Sequence, residues 1–352
     1  MRELLKGNEA IAEAAVRAGC QMYVGYPITP QSEIVEYMSA RMPELGRSFI
    51  QSQSELISIN TVIGGSLTGA RCMTSSSGVG ISLMQEGLTD SFAKGLCPLV
   101  VNVNRLGCGM GGGDSFPGGQ DDYTRETRGG GNGVYRFLVY VPSSIQEAVD
   151  MVYRAWDTAE KYRNPVELYT EGRLGQMMEA VELPPFKTAA RPAWGIDGTT
   201  KPMPDYPVWH VEYGKFNERI ALMEENEQQW ESYLTDDADT VIVAVGLCAR
   251  VCRGAVNKLR AQGRRIGLLR PKTVWPFPRK GFEALPECVE RIVCVENSSA
   301  PQMLEDVMVT LGKLPGLKGL PVYSKANMGL IGGGELREYL LRVYRGEERT
   351  VG

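Results

Sequence analysis

The chain is predicted to be an α/β protein, a parallel sheet covered by helices followed by a smaller α/β domain. Three observations carry this expectation. Helical and strand-like stretches alternate over residues 1–183, the pattern of βα units that lay strands side by side in one direction. The strands read as nearly continuous apolar runs, as in Pro98-Leu-Val-Val-Asn-Val-Asn104, which suits strands covered on both faces. The rhythm stops over 184–239 and resumes at Thr240. A chain of 352 residues is long enough for two cores of ordinary size.

In chain order the first domain, 1–183, reads as helix 8–19, strand 21–26, helix 31–42, strand 47–51, helix 54–69 and strand 71–74. Helix 80–94, strands 98–104 and 135–141, helix 144–162 and strand 166–169 follow. Helices are assigned from apolar residues at three- and four-residue spacing, strands from short apolar runs. Residues 184–239, rich in Pro, Trp and charge, read as a linker with irregular structure. The second domain, 240–352, reads as strand 240–245, helix 249–262, strands 265–269 and 291–296, and helices 301–314 and 335–344. One loop, 105–133, holds eleven glycines directly after a buried strand. Long loops inside compact domains are uncommon and mostly functional or disordered, and this placement favours function.

Composition excludes several classes. Lys plus Arg number 38 against 42 Asp plus Glu, a net charge of −4, so nucleic acid is not an expected ligand. The start MRELLKGNEA lacks the apolar core of a signal peptide, and no apolar run is long enough to span a bilayer, so a cytoplasmic protein is expected. Cysteines stand at 20, 72, 97, 108, 248, 252, 288 and 294, with no C-x-x-C pair. Neither zinc nor an iron–sulfur cluster is signalled. His210 is the only histidine, which argues against Ser-His-Asp chemistry.

The candidate site lies where strands end. Gly25-Tyr-Pro-Ile-Thr-Pro-Gln-Ser32 reads as a strand breaking into a helix, with prolines either side of Thr29. Thr29 is expected to cap that helix and can still offer its hydroxyl at the carboxyl edge of the sheet, where parallel sheets bind ligands. Ser52-Gln-Ser-Glu55 fits a capping box. It equally fits a carboxylate in an apolar wall of Leu56, Ile57, Ile59 and Ile63, placed to share a proton with a ligand nitrogen. Met73-Thr-Ser-Ser-Ser-Gly-Val-Gly80 is a strand running into a hydroxyl- and glycine-rich turn, a geometry that aims amides at anions. It is neither a P-loop nor a dinucleotide fingerprint. Arg105, at the end of its strand, is either a solvated end residue or a fork for a carboxylate. Gln120, Asp121 and Asp122 read as loop-stabilising residues.

In order along the chain, these motifs resemble the pyrimidine-binding subunit of the thiamine diphosphate-dependent 2-oxoacid:ferredoxin oxidoreductases. The likeness rests on Gly7-Asn-Glu-Ala10, Gly25-Tyr-Pro-Ile-Thr-Pro30, Ser54-Glu55 with Ile59-Asn60, Met73-Thr74 with Ser77-Gly78, and Ser82-Leu-Met-Gln-Glu86. Asn104-Arg105, Tyr162-Arg-Asn-Pro165, Leu174-Gly-Gln-Met177, Leu269-Arg-Pro271 and Trp275-Pro-Phe-Pro278 continue it. Branched-chain (3-methyl-2-oxobutanoate) members are the most similar, 2-oxoglutarate members next.

The resemblance implies a thiamine diphosphate pyrimidine-binding domain followed by a transketolase C-terminal-like domain. It implies that Glu55 contacts the cofactor's pyrimidine nitrogen, with Pro27, Ile28, Ser77 and Gly78 beside the cofactor, and Thr29 and Arg105 beside the 2-oxo acid. Two departures stand out. Gln53 occupies a position where relatives often carry a second acid, and Arg105-Leu-Gly-Cys108 replaces a common Arg-Gly/Ala-Gly-Pro.

A Gly-Asp-Gly…Asn segment for Mg²⁺ and diphosphate is missing, since Gly113-Asp-Ser115 lacks the final glycine, and so is a cysteine set for [4Fe-4S] clusters. Both are therefore expected on partners: a diphosphate- and Mg²⁺-binding beta-type subunit, gamma and ferredoxin-like iron–sulfur subunits, and ferredoxin as acceptor, with coenzyme A as co-substrate. Open alternatives are another 2-oxo acid, a non-catalytic nucleotide- or flavin-binding module, and a structural scaffold subunit.

Overall fold

The computed structural model describes residues 2–104, 119–190, 192–195 and 213–351. Its first elements are β1 (Arg2–Lys6), α1 (Gly7–Arg17), β2 (Met22–Gly25), α2 (Ser32–Glu44), β3 (Ser48–Gln51), α3 (Glu55–Leu67), β4 (Cys72–Ser76) and α4 (Val79–Ala93). Next come β5 (Leu99–Asn104), α5 (Tyr123–Arg128), β6 (Leu138–Tyr140), α6 (Ile145–Tyr162), β7 (Val166–Glu171), α7 (Gly172–Gln176) and β8 (Met178–Glu182). α8 (Tyr213–Asn226), β9 (Trp230–Tyr233), β10 (Thr240–Val243), α9 (Gly246–Arg260), β11 (Ile266–Pro271) and β12 (Thr273–Trp275) follow. The chain closes with α10 (Arg279–Glu283), β13 (Arg291–Glu296), α11 (Met303–Lys313), β14 (Val322–Ala326) and α12 (Gly333–Arg345).

Seven strands form the larger sheet in the order β12-β6-β7-β5-β4-β2-β3, parallel except for β12. Five form the second, β14-β13-β10-β11-β9, parallel except for β9. β1 and β8 make a separate antiparallel pair. Among the described residues no helix is long and apolar enough to cross a membrane.

Register decides what each face carries. Thr74 lies opposite Val100, Ser76 opposite Asn102, Val100 opposite Glu167 and Asn102 opposite Tyr169. With side chains alternating along each strand, Met73, Leu99, Val101, Val166 and Leu168 share the face packed on α1, α2 and α6. The opposite face collects Thr74, Ser76, Asn102, Glu167 and Tyr169, all buried. The expectation of continuous apolar strands therefore holds for one face only. The other mixes these polar groups with Val24, Cys72, Val100 and Val139, and it is covered because α3, α4, α5 and the second sheet close over it. One apolar cluster there holds Ile59, Met84 and Phe92 together with Val243, Cys294 and Val307, so the two sheets share a core.

The segment read as irregular, 184–239, carries α8 and β9. Neither is autonomous: β9 is four residues long and finds its hydrogen bonds on β11, and α8 buries Met223 in the shared core. β12, from beyond residue 240, pairs with β6 of the larger sheet. The glycine-rich loop contains the short helix α5, and Gly129 and Gly133 turn at positive φ (+80° and +67°) just after it. Arg105, Cys108, Gly113-Asp-Ser115 and His210 lie outside the described residues.

Candidate active site

Glu55 opens α3. The helix is capped by Ser54, whose Oγ accepts from the Ile57 amide at 3.3 Å. The capping box expected from Ser52 does not form. Ser52 is turned away, its hydroxyl donating to the Ser54 carbonyl at 2.9 Å and sharing a 2.5 Å hydrogen bond with Ser58 Oγ. Glu55 thus sits at the first helical position rather than the third, and its side chain cannot fold back on the cap. It is 5% exposed and makes no hydrogen bond or ion pair to any described residue. An acid at this end of a helix is favoured by the helix dipole.

The apolar wall foreseen around Glu55 is only half present. Helical periodicity puts Glu55, Ser58, Ile59, Val62 and Ile63 on the buried face. Leu56 and Ile57 fall on the opposite side, 47% and 45% exposed. Val79 and Leu83 in the first turns of α4 are likewise exposed, as are Tyr26 and Ile50 at neighbouring strand ends. The acid is therefore buried beneath a rim of outward-facing apolar side chains.

The lip after β2 is held from below. Thr29, exposed, precedes a cis peptide bond to Pro30. It does not cap α2, which starts at Ser32 behind Gln31. Pro27 is exposed and Ile28 half-buried. Gln31, fully buried, fastens the turn: its Nε2 donates to the Tyr26 carbonyl at 3.0 Å, and its Oε1 accepts from Ser75 Oγ at 2.6 Å. Ser75 Oγ in turn lies 2.7 Å from the Tyr23 hydroxyl. From the far side Asn8 Nδ2 donates to the Pro30 carbonyl at 2.8 Å and to Glu33 Oε2 at 2.9 Å.

The hydroxyl-rich turn joins these pieces. Gly78, at φ +43° and ψ −107°, is the residue from which α4 starts, a backbone position that favours glycine. A β-carbon on Gly80 would lie 2.0 Å from Ser76 Oγ and 2.6 Å from Glu55 Oε1. The starts of α3 and α4 therefore meet at Glu55. The hydroxyls of Thr74, Ser76 and Ser77 are buried without hydrogen-bond partners. Unpaired buried hydroxyls beside an unpaired buried carboxylate fit a polar ligand at this edge. The structure sets Glu55 against Gly80, in the turn that carries Ser77 and Gly78, with the Pro27-Ile28-Thr29 lip tied to the strand before that turn through Gln31 and Ser75.

Behind the turn lies a buried charged group. Asp122, Glu126 and Arg125 surround Asn102, whose Nδ2 donates to both acids at 3.2 and 2.8 Å. Burial and the adjacent Glu126 push the Glu167 carboxyl far above the usual carboxylate range. Glu171, at the end of β7, accepts from the Leu247 amide at 2.7 Å, and burial raises its pKa to about 7. No group of three or more acids, cysteines or histidines among the described residues could hold a metal ion. Sequence reasoning missed Gln31, Gly80 and Arg125. For Gln31 the signal was its place after the Thr29-Pro30 turn, and for Gly80 its place at the end of the glycine-rich turn from Met73; for Arg125 there was none.

Residues 13–234 match the family described as "Pyruvate flavodoxin/ferredoxin oxidoreductase, thiamine diP-bdg", and residues 238–329 match "Pyruvate:ferredoxin oxidoreductase core domain II". Ketoisovalerate oxidoreductase subunit VorB of Methanothermobacter thermautotrophicus is 42% identical over 320 residues, covering 88% of this chain and 90% of that protein. 2-oxoglutarate synthase subunit KorA of Methanocaldococcus jannaschii is 34% identical, covering 78% and 83% respectively. The 2-oxoglutarate:ferredoxin oxidoreductase of Magnetococcus marinus superposes with a TM-score of 0.83 at 22% identity, over 97% of this chain and 65% of that one. The α/β class with a pyrimidine-binding domain and a transketolase C-terminal-like domain is the one found. The chain belongs to the pyruvate flavodoxin/ferredoxin oxidoreductase family, as the pyrimidine-binding type of subunit of a thiamine diphosphate-dependent 2-oxoacid:ferredoxin oxidoreductase.

Proposed function

We propose that this chain provides the pyrimidine half of a shared thiamine diphosphate site in a cytoplasmic, multisubunit enzyme that oxidatively decarboxylates a branched-chain 2-oxo acid. The observation that carries the proposal is Glu55, a buried carboxylate with no partner among the described residues, ringed by exposed Leu56, Ile57, Val79 and Leu83. An apolar rim around an unpaired acid fits a surface completed by another chain. In this reading Glu55 holds a proton at the pyrimidine nitrogen, while Pro27, Ile28, Ser77 and Gly78 line the cofactor. Thr29 and Arg105 face the 2-oxo acid, Arg105 pairing its carboxylate. Bound thiamine diphosphate supplies the carbon nucleophile and the electron sink.

The partners proposed are a beta-type subunit carrying Mg²⁺ and the diphosphate, gamma and ferredoxin-like subunits carrying [4Fe-4S] clusters, and ferredoxin, with coenzyme A accepting the acyl group. Support for the branched-chain substrate comes from the VorB relatives at 42% and 40% identity. The KorA relatives favour 2-oxoglutarate as the second reading. The complex is to be purified from its native assembly and assayed with a panel of 2-oxo acids, coenzyme A and a viologen. A preference for 3-methyl-2-oxobutanoate, abolished by Glu55→Gln with assembly intact, is expected. Preference for 2-oxoglutarate would move the assignment to the second reading, and full activity in Glu55→Gln would leave a scaffold role.

A further inference from the structure

We infer that Arg125 is a positioning residue that ties the Gly78 turn, on which Glu55 rests, to the seam between the two sheets. This rests on the reading of Glu55 just given. Arg125 Nη1 donates to the Gly78 carbonyl at 2.8 Å and to Ser82 Oγ at 2.9 Å. The rest of the guanidinium is gripped by Glu126 Oε1, at 3.1 Å from Nε and 2.8 Å from Nη2, and by Asp122 Oδ2 at 2.5 Å from Nη2. A planar fork can face both directions at once, which a point charge on a flexible stem cannot.

The Gly78 carbonyl is where α4 starts, and it also accepts from the Ser82 amide at 3.1 Å. Fixing that carbonyl fixes the first turn of α4 and with it Gly80, the surface against which Glu55 lies. On its other side α5 is fastened to the second domain. The Tyr123 hydroxyl donates to Asp306 at 2.7 Å, and Thr124 donates through its amide and its hydroxyl to Gln302 Oε1 at 2.8 and 2.7 Å. Gln302 Nε2 returns a bond to the Asp121 carbonyl at 2.9 Å, and Asp121 accepts from the Ser299 amide at 2.7 Å. Arg125 is the link that carries the position of α11 to the first turn of α4.

The test uses the assembled complex with Arg125→Lys, which keeps the charge beside Glu126 and Asp122 but cannot span to Gly78. A paired variant, Arg125→Met with Glu126→Gln, removes the arginine without stranding the Glu126 charge. Thiamine diphosphate affinity is measured by calorimetry, hydrogen exchange of the Gly80 to Ser82 amides without cofactor, and thermal unfolding as the control. Both variants are expected to weaken the cofactor by ~10-fold, the loss of one charge-assisted hydrogen bond. Faster exchange at these amides is expected as well, with the Arg125→Lys unfolding midpoint near the parent's. Unchanged exchange and affinity in both variants overturns the inference, whatever Glu55 does. Glu55→Gln measured in parallel separates the two ideas: if it leaves cofactor affinity and turnover intact while exchange still rises in Arg125→Lys, the Glu55 reading fails and the tether stands.

Discussion

Gly80→Ala is the most direct probe of how Glu55 is held. The added methyl would start 2.0 Å from Ser76 Oγ, 2.6 Å from Glu55 Oε1 and 2.7 Å from Glu55 Cγ. Ser76 can rotate its hydroxyl away without losing a bond, since it makes none. Glu55 must move further along its chain, because its Cγ, 2.7 Å away, is one bond from a β-carbon fixed by the start of α3. Restoring contact near ~3.5 Å requires the carboxylate to retreat by roughly 1 Å. A displacement of that size at a reacting group costs ~100-fold in rate. Overpacking costs about 1–3 kcal/mol, and exchanging glycine for alanine within a helix returns about 1 kcal/mol, so the fold should survive. Gly87→Ala is the control. It crowds Ile59 side-chain carbons at 2.7 and 2.8 Å on the same pair of helices, away from Glu55, and should lower stability but not rate. The assay is kcat/KM for the 2-oxo acid in the complex, beside urea unfolding. Equal rates in both variants would refute the placement of Glu55 at the chemistry.

Three further outcomes are expected. Arg71→Met removes a two-point grip on Glu160 at 2.7 Å and a bond to the Ala18 carbonyl at 2.7 Å. Because Arg71 lies before the start of β4, at the opposite edge of the sheet, urea unfolding should show a loss of ~1.5–3 kcal/mol with kcat unchanged. Gln31→Leu strips the bonds to Tyr26 and Ser75, so KM for the 2-oxo acid should rise more than kcat falls, with a stability loss of ~1–3 kcal/mol in the same unfolding assay. For Glu171, whose folded pKa is raised from 4.5 to about 7, the folded state binds the proton more tightly than the unfolded chain. Its contribution is complete below pH 4.5 and lost as pH rises through 7, with a slope of up to ~1.4 kcal/mol per pH unit. Glu171→Gln, which can still accept from Leu247, should flatten the stability profile between pH 5 and 7. An unchanged slope would assign it to another group.

The α/β class, the order of most strands and helices, and the strand-to-helix junctions at Tyr26, Ser54 and Ser77 could all be read from the sequence. Each depends on residues within a few positions of one another: apolar spacing, proline pairs, a serine before a helix. Glu55 stood out in the same way, as a carboxylate at the head of an apolar run. Which residue caps its helix was not legible, because Ser52 and Ser54 both qualify locally and only the Ser52–Ser58 contact excludes the first. Nor was the mixed face of the larger sheet, because the pairing of Ser76 with Asn102 and of Val100 with Glu167 is set by register between distant strands. β9 and β12 are three or four residues long and exist as strands only through β11 and β6. Gly80 and Arg125 acquire their roles from contacts 25 and 47 positions away in the chain, with Glu55 and Gly78. Local sequence determined where a ligand edge could form. The packing of two helix starts and of the second domain against it decided which side chains meet there, because those contacts join residues that the chain keeps far apart.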